Sequence, residues 1–408
     1  MRLLSSALLL CGSAGVASAN AFVLNDFSAK ATGRGDATIA TSSDGSAIVY
    51  NVAGIASQTG FNFYVGGSLI KATGSYTDSS TGIKTDTDSP MAITPGAYLT
   101  ARVASSVVVG LGFHTPFGSR IEWPSDAPTS DEITSQALRT YFITPSVGID
   151  LGKYVPGLQF GAGLDLVPAT VELNQNVFFG ETQGTAKLGG NAFGIGGRLG
   201  VMYHPRALPR VSLGAVYRSQ VKLDFEGDGD FDISSPYRGQ LPPDGPIKTS
   251  VTLPQSFGFG LAVRPSDRIE VEANGMWMGW SSYDRIVVDF PGGAQSVSAR
   301  NYEDRLSVRL GAEFKAIPSK LDLRVGYMYD PTPIPADTLN ATLPDANRHD
   351  LTVGGSYHFG NYNLDVGLLW VTPSDKDTSD EPYMPVNKGT FGVEVFLGSV
   401  SFGGHFGE

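Results

Sequence analysis

The residues best able to do chemistry are few and poorly spaced for it. Five histidines, His114, His204, His349, His358 and His405, could act as bases or metal ligands. Nucleophilic catalysis needs a serine or threonine within reach of a histidine that a carboxylate orients, and no elbow-type serine motif lies near any of the five. Asp228, Asp230 and Asp232 are spaced like the start of a calcium loop, but the glycine and distal glutamate that complete one are missing, so the stretch reads as a solvated outer loop. No glycine-rich phosphate loop runs from a strand into a helix. The single cysteine, Cys11, sits in a leader, so a thiolate metal site, a disulfide and a cysteine nucleophile all drop out of the mature chain. The expectation is a protein that is not an enzyme and uses neither metal nor cofactor.

The leader itself is legible. Arg2 supplies positive charge, Leu3 to Val16 are apolar, and Ala17-Ser18-Ala19 has the small-x-small form of a cleavage site. Residues 1–19 are read as a cleaved signal peptide, with the mature chain beginning at Asn20. A lipidated Cys11 is the competing reading, opposed by the bulky Leu10 before it. With 40 acidic against 29 basic residues and a net charge of -11, the chain is a poor partner for nucleic acid, whose phosphates need a cationic face.

The scattered chemistry rests on a regular frame. From about Gly60 onward, segments of ten or more residues alternate apolar and polar, the length a tilted strand needs to cross a bilayer. Leu351, Val353, Gly355, Tyr357 and Phe359 oppose Thr352, Gly354, Ser356 and His358; Leu158 to Leu166, Ile269 to Trp277, Leu306 to Phe314 and Leu321 to Tyr329 follow the same period of two. A soluble sandwich alternates as well, so the connections must decide. Short links at 104–105, 152–157, 204–209, 264–267, 316–319 and 360–361 interleave with long ones at 74–90, 119–138, 174–183, 227–247, 285–300, 331–347 and 372–387. Tight inner turns alternating with long outer loops are the habit of outer-membrane barrels, and the count predicts about 14 antiparallel strands with both chain ends inside.

In hydrocarbon, strands satisfy their backbone only by closing into a barrel, whose apolar face meets lipid and whose charges turn inward. Glu270, Glu272, Arg309, Glu313, Asp322, Arg324 and Asp365 are therefore placed in the lumen, chiefly as mutually paired structural charges. Trp123, Trp280, Tyr283, Tyr329 and Trp370, near strand ends, are expected in the interfacial girdles, with ordinary strand aromatics as the alternative. Residues 20–59 differ in kind, being rich in small residues and weakly periodic. They are read as a hatch plugging the lumen of a barrel formed by 60–408, against the alternative of a disordered leader.

Against this frame a family resemblance stands out. Asn20-Ala21-Phe22-Val23-Leu24-Asn25-Asp26-Phe27-Ser28 followed by Gly33-Arg34-Gly35 resembles the mature start of the FadL-type long-chain fatty acid transporters, and Asn51-Val52-Ala53-Gly54 sits where they carry Asn-Pro-Ala-Gly. The segment Tyr217 to Gly227, Leu253-Pro254, Trp277 with Trp280 to Tyr283, and the stretch Leu323 to Tyr357 are similar to that family as well. The resemblance implies a 14-stranded all-β transmembrane barrel with an N-terminal hatch in the bacterial outer membrane. It also implies uptake of hydrophobic ligands through outer loops into an apolar pocket and their sideways release through the wall. Phe22 matches the family's pocket-side aromatic and is expected to gate; Asn51, Val52, Ala53 and Gly54 form the hatch turn, less rigid for lacking proline at 52. The chain ends on Phe406-Gly407-Glu408 where the family ends on an aromatic read by the barrel assembly machinery, so Phe402 or Phe406 is expected to serve.

A fatty acid gains about 0.8 kcal/mol per buried CH₂ and avoids a wet pore, so its path should be apolar. Phe178 and Phe179 in an outer loop fit that need, and also fit packing of the loop itself. A lateral gap needs a strand bending from its neighbour, for which Gly110, Gly112, Pro116 and Gly118 are suited; glycines also fit barrel corners. The expected function is passive transport of long-chain fatty acids by a monomer in contact with outer-membrane lipid and lipopolysaccharide. Uptake of aromatic or alkane hydrocarbons, and a non-specific porin or adhesin, are the alternatives.

Overall fold

The computed structural model describes residues 21–382 and 387–407, so the signal-peptide reading of 1–19 and the start at Asn20 lie outside the described residues. Alternation becomes a single antiparallel sheet that closes on itself. Its first strand, β1 (Phe61–Asp78), pairs on one side with β2 (Ala92–Ala104) and on the other with the last, β14 (Gly389–Phe406), in a ladder from Phe61↔Phe406 to Asp78↔Gly389. Between them lie β3 (Val107–His114 and Gly118–Glu122), β4 (Ser135–Thr140 and Phe142–Asp150), β5 (Leu158–Phe179) and β6 (Thr182–Tyr203). There follow β7 (Val211–Arg218 and Val221–Asp232), β8 (Gly245–Leu253 and Ser256–Ser266), β9 (Ile269–Met278 and Arg285–Asp289) and β10 (Gln295–Ala299 and Arg305–Ile317). The circuit is completed by β11 (Leu321–Asp330), β12 (Arg348–Phe359) and β13 (Tyr362–Asp377), giving the 14 strands the alternating links predict.

The faces are inverted relative to a soluble protein. On β13, Leu364, Val366, Leu368 and Trp370 are exposed while Asp365 between them is 0% exposed; on β12, Leu351 and Val353 are exposed while Asp350 and Thr352 are buried. Apolar side chains outward and charges inward is the arrangement lipid demands, since a charge moved to the lipid face at mid-depth costs about 2–4 kcal/mol.

Two expected loops are strand instead. Residues 174–183 continue β5 and β6 to a tight turn at Gly180-Glu181, and much of 285–300 forms the hairpin between β9 and β10. These polar extensions rise beyond the apolar band, where the rule of alternation no longer applies but ladder hydrogen bonds still hold. Asp228, Asp230 and Asp232 likewise lie on β7, paired with β6, rather than in a loop; among the described residues no cluster of His, Cys, Asp and Glu is set to hold a metal.

Residues 21–58 fold into short turns, α1 (Ala29–Thr32), α2 (Ala47–Tyr50) and a 3₁₀ turn (Val52–Ser57), and nearly all are buried against the inner faces of the strands. Glycine makes this possible by close approach. A Cβ on Gly161 of β5 would lie 2.4 Å from the Val52 carbonyl carbon, one on Gly200 of β6 2.2 Å from Asn51 Oδ1, and one on Gly311 of β10 2.3 Å from the Arg34 oxygen. Gly326 of β11, the cross-strand partner of Gly311, would meet Gly35 N at 2.2 Å, and Gly367 of β13 would meet the Ala29 oxygen at 2.6 Å. The segment therefore touches the wall on opposing sides.

Candidate functional site

Charge fixes the lower contact between the N-terminal segment and the wall. Arg34 reaches Glu270 at 3.2 Å and Glu272 at 3.6 Å, while Glu272 also accepts from the Ala40 amide at 2.7 Å. Arg198 binds Asp165 at 2.7 Å and donates to the Ile48 carbonyl at 2.8 Å. Arg324 binds Glu313 at 2.7 Å beside Asp322. Of the inward charges expected from sequence, Glu270, Glu272, Glu313, Asp322 and Arg324 form pairs, Glu270 and Glu272 with Arg34 of the segment itself, while among the described residues Arg309 and Asp365 make no ion pair. Asn51 caps the 3₁₀ turn by accepting from the Ala53 amide, and its Nδ2 donates to the carbonyls of Ile39 at 2.7 Å and Val201 of β6 at 3.1 Å. Val52 takes the first position of that turn, the place where a proline's fixed φ is readily accommodated. Ala53 is fully buried, and Gly54 is pressed so close that a Cβ would lie 2.1 Å from the Ser42 oxygen. The four residues act as a clasp on the wall and line no part of the larger apolar cavity.

That cavity lies above the clasp. It encloses about 110 Å³ between Phe22, the barrel residues Leu138, Val171, Leu173, Leu188, Phe225 and Val251, and Thr342 and Leu343 of the 331–347 segment. Phe22 is 4% exposed and makes edge contacts with Trp280 at 4.9 Å, Tyr283 at 5.4 Å and Phe117 at 6.1 Å, so it forms part of the cavity wall within an aromatic cluster. Trp123 and Trp280, expected in the girdle, are instead 5% and 0% exposed, and Tyr283 packs against this interior cluster. Trp280 keeps the inward parity of Glu272, Asn274 and Met278, so the alternation itself places it inside, and the turn Trp280–Ser282 between the two parts of β9 seats it in the cluster. Trp370, by contrast, faces outward and stacks on Phe396 at 6.2 Å. The 331–347 segment is strapped across the cavity: Trp123 Nε1 donates to the Ala341 carbonyl at 3.0 Å, and the Ala341 amide donates to Glu132 at 2.9 Å.

One cation lines this apolar space. Arg300 is 7% exposed; Nη1 donates to Thr342 Oγ1 at 3.2 Å, Nε has no hydrogen-bond partner, and no carboxylate lies within ion-pair distance among the described residues. Such burial of an unmatched charge is costly and calls for an anion. Sequence reasoning missed Arg300 because it closes a stretch read as a solvated loop; its only signal is a lone arginine just before Tyr302 and the strand that follows.

The third strand is broken where its proline and glycines suggest. Pairing between β2 and β3 ends at Ala97↔Phe113, leaving residues 92–96 of β2 joined only to β1. Beyond that point β3 turns inward: the Leu24 amide donates to the Pro116 carbonyl at 2.9 Å, Val23 bridges Phe117, and the Gly118 amide donates to the Phe22 carbonyl at 2.9 Å. The ladder partner lost from the wall is replaced by the N-terminal segment. Gly110 and Gly112 do not sit in the gap; each receives the Ile48 side chain, which a Cβ would meet at 2.9 and 2.8 Å. Phe178 and Phe179 lie at the outer tip of the β5–β6 hairpin, Phe178 48% exposed and Phe179 stacked on Tyr237 at 5.3 Å, and neither lines the cavity.

Comparison with known proteins gives a consistent outcome. The family model described as "Outer membrane protein transport protein (OMPP1/FadL/TodX)" matches residues 10–395. The long-chain fatty acid transport protein of Escherichia coli K12 is 24% identical over 255 residues, covering 59% of this chain and 56% of that protein, so the match spans about half the length of this relative. A FadL homologue of Pseudomonas aeruginosa superposes with a TM-score of 0.83 at 16% identity, covering 95% of this chain and 100% of that one. The Pseudomonas putida toluene transporter TodX does so at 0.76 and 21%, covering 94% and 100%. At such identities the superpositions establish the fold alone.

Proposed function

We propose, from the premise that this chain belongs to the outer membrane protein transport protein family (OMPP1/FadL/TodX), that it carries long-chain fatty acids passively across the outer membrane in which it resides. The observation that carries this reading is the buried Arg300, without an ion pair, in a cavity otherwise lined mainly by apolar side chains. An acyl chain gains about 0.8 kcal/mol per buried methylene, and its carboxylate supplies the anion that the guanidinium lacks. A neutral hydrocarbon would leave that cost in place. Uptake of aromatic hydrocarbons, the activity named for the Pseudomonas putida relative, has in its favour the aromatic wall of Phe22, Tyr283 and Tyr302, and is the second reading.

In this reading residues 21–59 are the hatch, Phe22 is the gate between the cavity and the space below, and the clasp at 51–54 holds the hatch while ligand moves past it. The break between β2 and β3 is the side exit. Pro116 and Gly118 release the strand from its neighbour, and Gly110 and Gly112 make room for Ile48. Phe178 and Phe179 offer an apolar approach at the outer surface. An open aqueous porin fits poorly, because the lumen is crossed by ion-paired backbone. Apart from the short stretch 92–96 of β2, the closed ladder presents no free edge to a second copy, which favours a monomer contacting lipopolysaccharide at its rim after insertion by the barrel assembly machinery. No reaction is assigned to it.

Import of radiolabelled oleate by a host deleted for its own porter tests the reading. Restored import is expected; correctly inserted protein that restores toluene uptake and not oleate would assign the second cargo instead.

A further inference from the structure

Beneath Phe22 lies a second, smaller cavity whose chemistry the transport reading leaves unused. It encloses about 60 Å³ between Val23, Leu24 and Tyr50 of the N-terminal segment and Arg198, Arg218 and Arg309 of β6, β7 and β10. That is space for a few water-sized groups, enough for a carboxylate head and not for its tail. The two cavities are lined by neighbouring stretches of chain, Phe22 beside Val23 and Tyr283 shortly after Met278, within one buried cluster.

Its guanidinium donors are not all taken. Arg198 is taken by Asp165 at 2.7 Å. Arg309 is 4% exposed with Nε unpaired, and among the described residues neither it nor Arg218 makes a hydrogen bond or an ion pair within 4 Å. The carboxylate that lines the cavity, Asp36, is likewise without a hydrogen-bond partner and lies within electrostatic reach of Arg309, as does Asp26. Asp350, which also faces Arg309, is held together with Asp330 by Arg348. Asp165, already bound to Arg198, also faces Arg218, so Arg218 and Arg309 keep guanidinium donors without a hydrogen-bond partner on a lining whose carboxylate is Asp36. Buried guanidinium forks without partners bind oxyanions in paired hydrogen bonds.

We propose that Arg218 and Arg309 form a second anion site below the gate, which receives the carboxylate of an acidic cargo after Arg300 releases it. This rests on the reading of the cargo as a fatty acid, and the site then turns one deep barrier into two shallow steps. The head group descends past Phe22 while the tail still fills the apolar cavity, so the charge is never without a counterion.

Anomalous diffraction from crystals of the full protein tests it with two probes. With 2-bromododecanoate, whose bromine adjoins the carboxylate, the expected result is one bromine peak beside Arg300 and one beside Arg218 and Arg309. R218Q should lose the lower peak and keep the upper one, and R218K, which retains the charge should the glutamine variant fail to fold, should keep both. With sodium bromide alone, a lower peak is expected as well. Bromide in the lower cavity without any bound 2-bromododecanoate would uphold the anion site with a free inorganic anion as occupant, and would sink the fatty acid reading. An empty lower cavity with both probes, or a lower peak that survives R218Q undiminished, overturns the site.

Discussion

Two parts of one lumen are built from opposite materials. Around residues 29–58 the interior is filled apart from the small cavity beside Arg218 and Arg309, and its other charges are largely matched: Arg34 with Glu270 and Glu272, Arg198 with Asp165, Arg324 with Glu313. Nearer the outer surface it is partly empty, lined by aliphatic and aromatic side chains, and contains Arg300 without an ion pair. The filled part holds a segment in place, because each buried pair is expensive to break and each contact glycine forbids a shift. The empty part can take different shapes of cargo, since apolar contacts are not directional. Holding and binding are thereby assigned to different chemistry within a single barrel.

Removing one partner from the filled part should have the largest effect. Asp165→Ala leaves Arg198 buried and uncompensated, and is expected to cost about 3–5 kcal/mol, read as a lowered urea midpoint in detergent; an unchanged midpoint would mean that the pair does not hold the structure. A displaced clasp should open the lumen. Gly200→Leu puts side chain where Asn51 Oδ1 sits 2.2 Å from the position of a Cβ, and the expected result in a planar bilayer is steady current where the parent protein gives little. A variant as silent as its parent would show that the segment blocks nothing.

Next comes the cation of the empty part. Arg300→Gln should weaken laurate binding by roughly ten- to a hundredfold, matching about 1.5–3 kcal/mol for a hydrogen bond to a charged group, with toluene binding unaffected. Equal losses for both ligands would identify Arg300 as a packing residue only. The smallest effect concerns the join between the two parts. The Ala21 amide donates to Asp345 Oδ2 at 3.3 Å, and burial pushes the Asp345 carboxyl up to about 6. Burial, which outweighs the Ala21 hydrogen bond, makes the folded state favour the protonated carboxyl; that contribution to stability is complete below the ordinary value of 3.8 and is lost as pH rises through about 6. With Trp280 as the sole tryptophan, its emission should shift to the red as pH rises across that value, and Asp345→Asn should abolish the shift.

The sequence was most informative where lipid imposes a rule. Period-two alternation and alternating link lengths predict the strand number, the closure and the inward charges, because hydrocarbon allows few other solutions for strands. It was least informative where lipid exerts no control. The polar run at 174–183 looked like a loop, yet strands continue there on backbone bonds alone. Residue type and a place near a strand end point Trp280 to the girdle, although its even position shares the inward parity of Glu272, Asn274 and Met278. Phe22 was placed near the pocket by resemblance, and the structure sets it in the cavity wall. Arg300 could not be found from spacing, since its environment is assembled from β10, the 331–347 segment and Phe22, which are far apart in the chain. The contact glycines carried no periodic signature; each is dictated by a partner as many as 338 positions away, as Gly367 is by Ala29.

That separation bears on how the molecule is made. The Ala29 amide donates to Ser401 Oγ at 3.0 Å across 372 positions, and α1 rests on β12, β13 and β14. A peptide that leaves the ribosome first thus finds its berth only when the last hairpin has been synthesised and zipped into place. Contacts so distant along a polymer form slowly, and no shortened chain lacking the final strand can offer the leading turn its seat. Seating of this turn therefore waits for the final hairpin, and an interrupted product leaves it undocked.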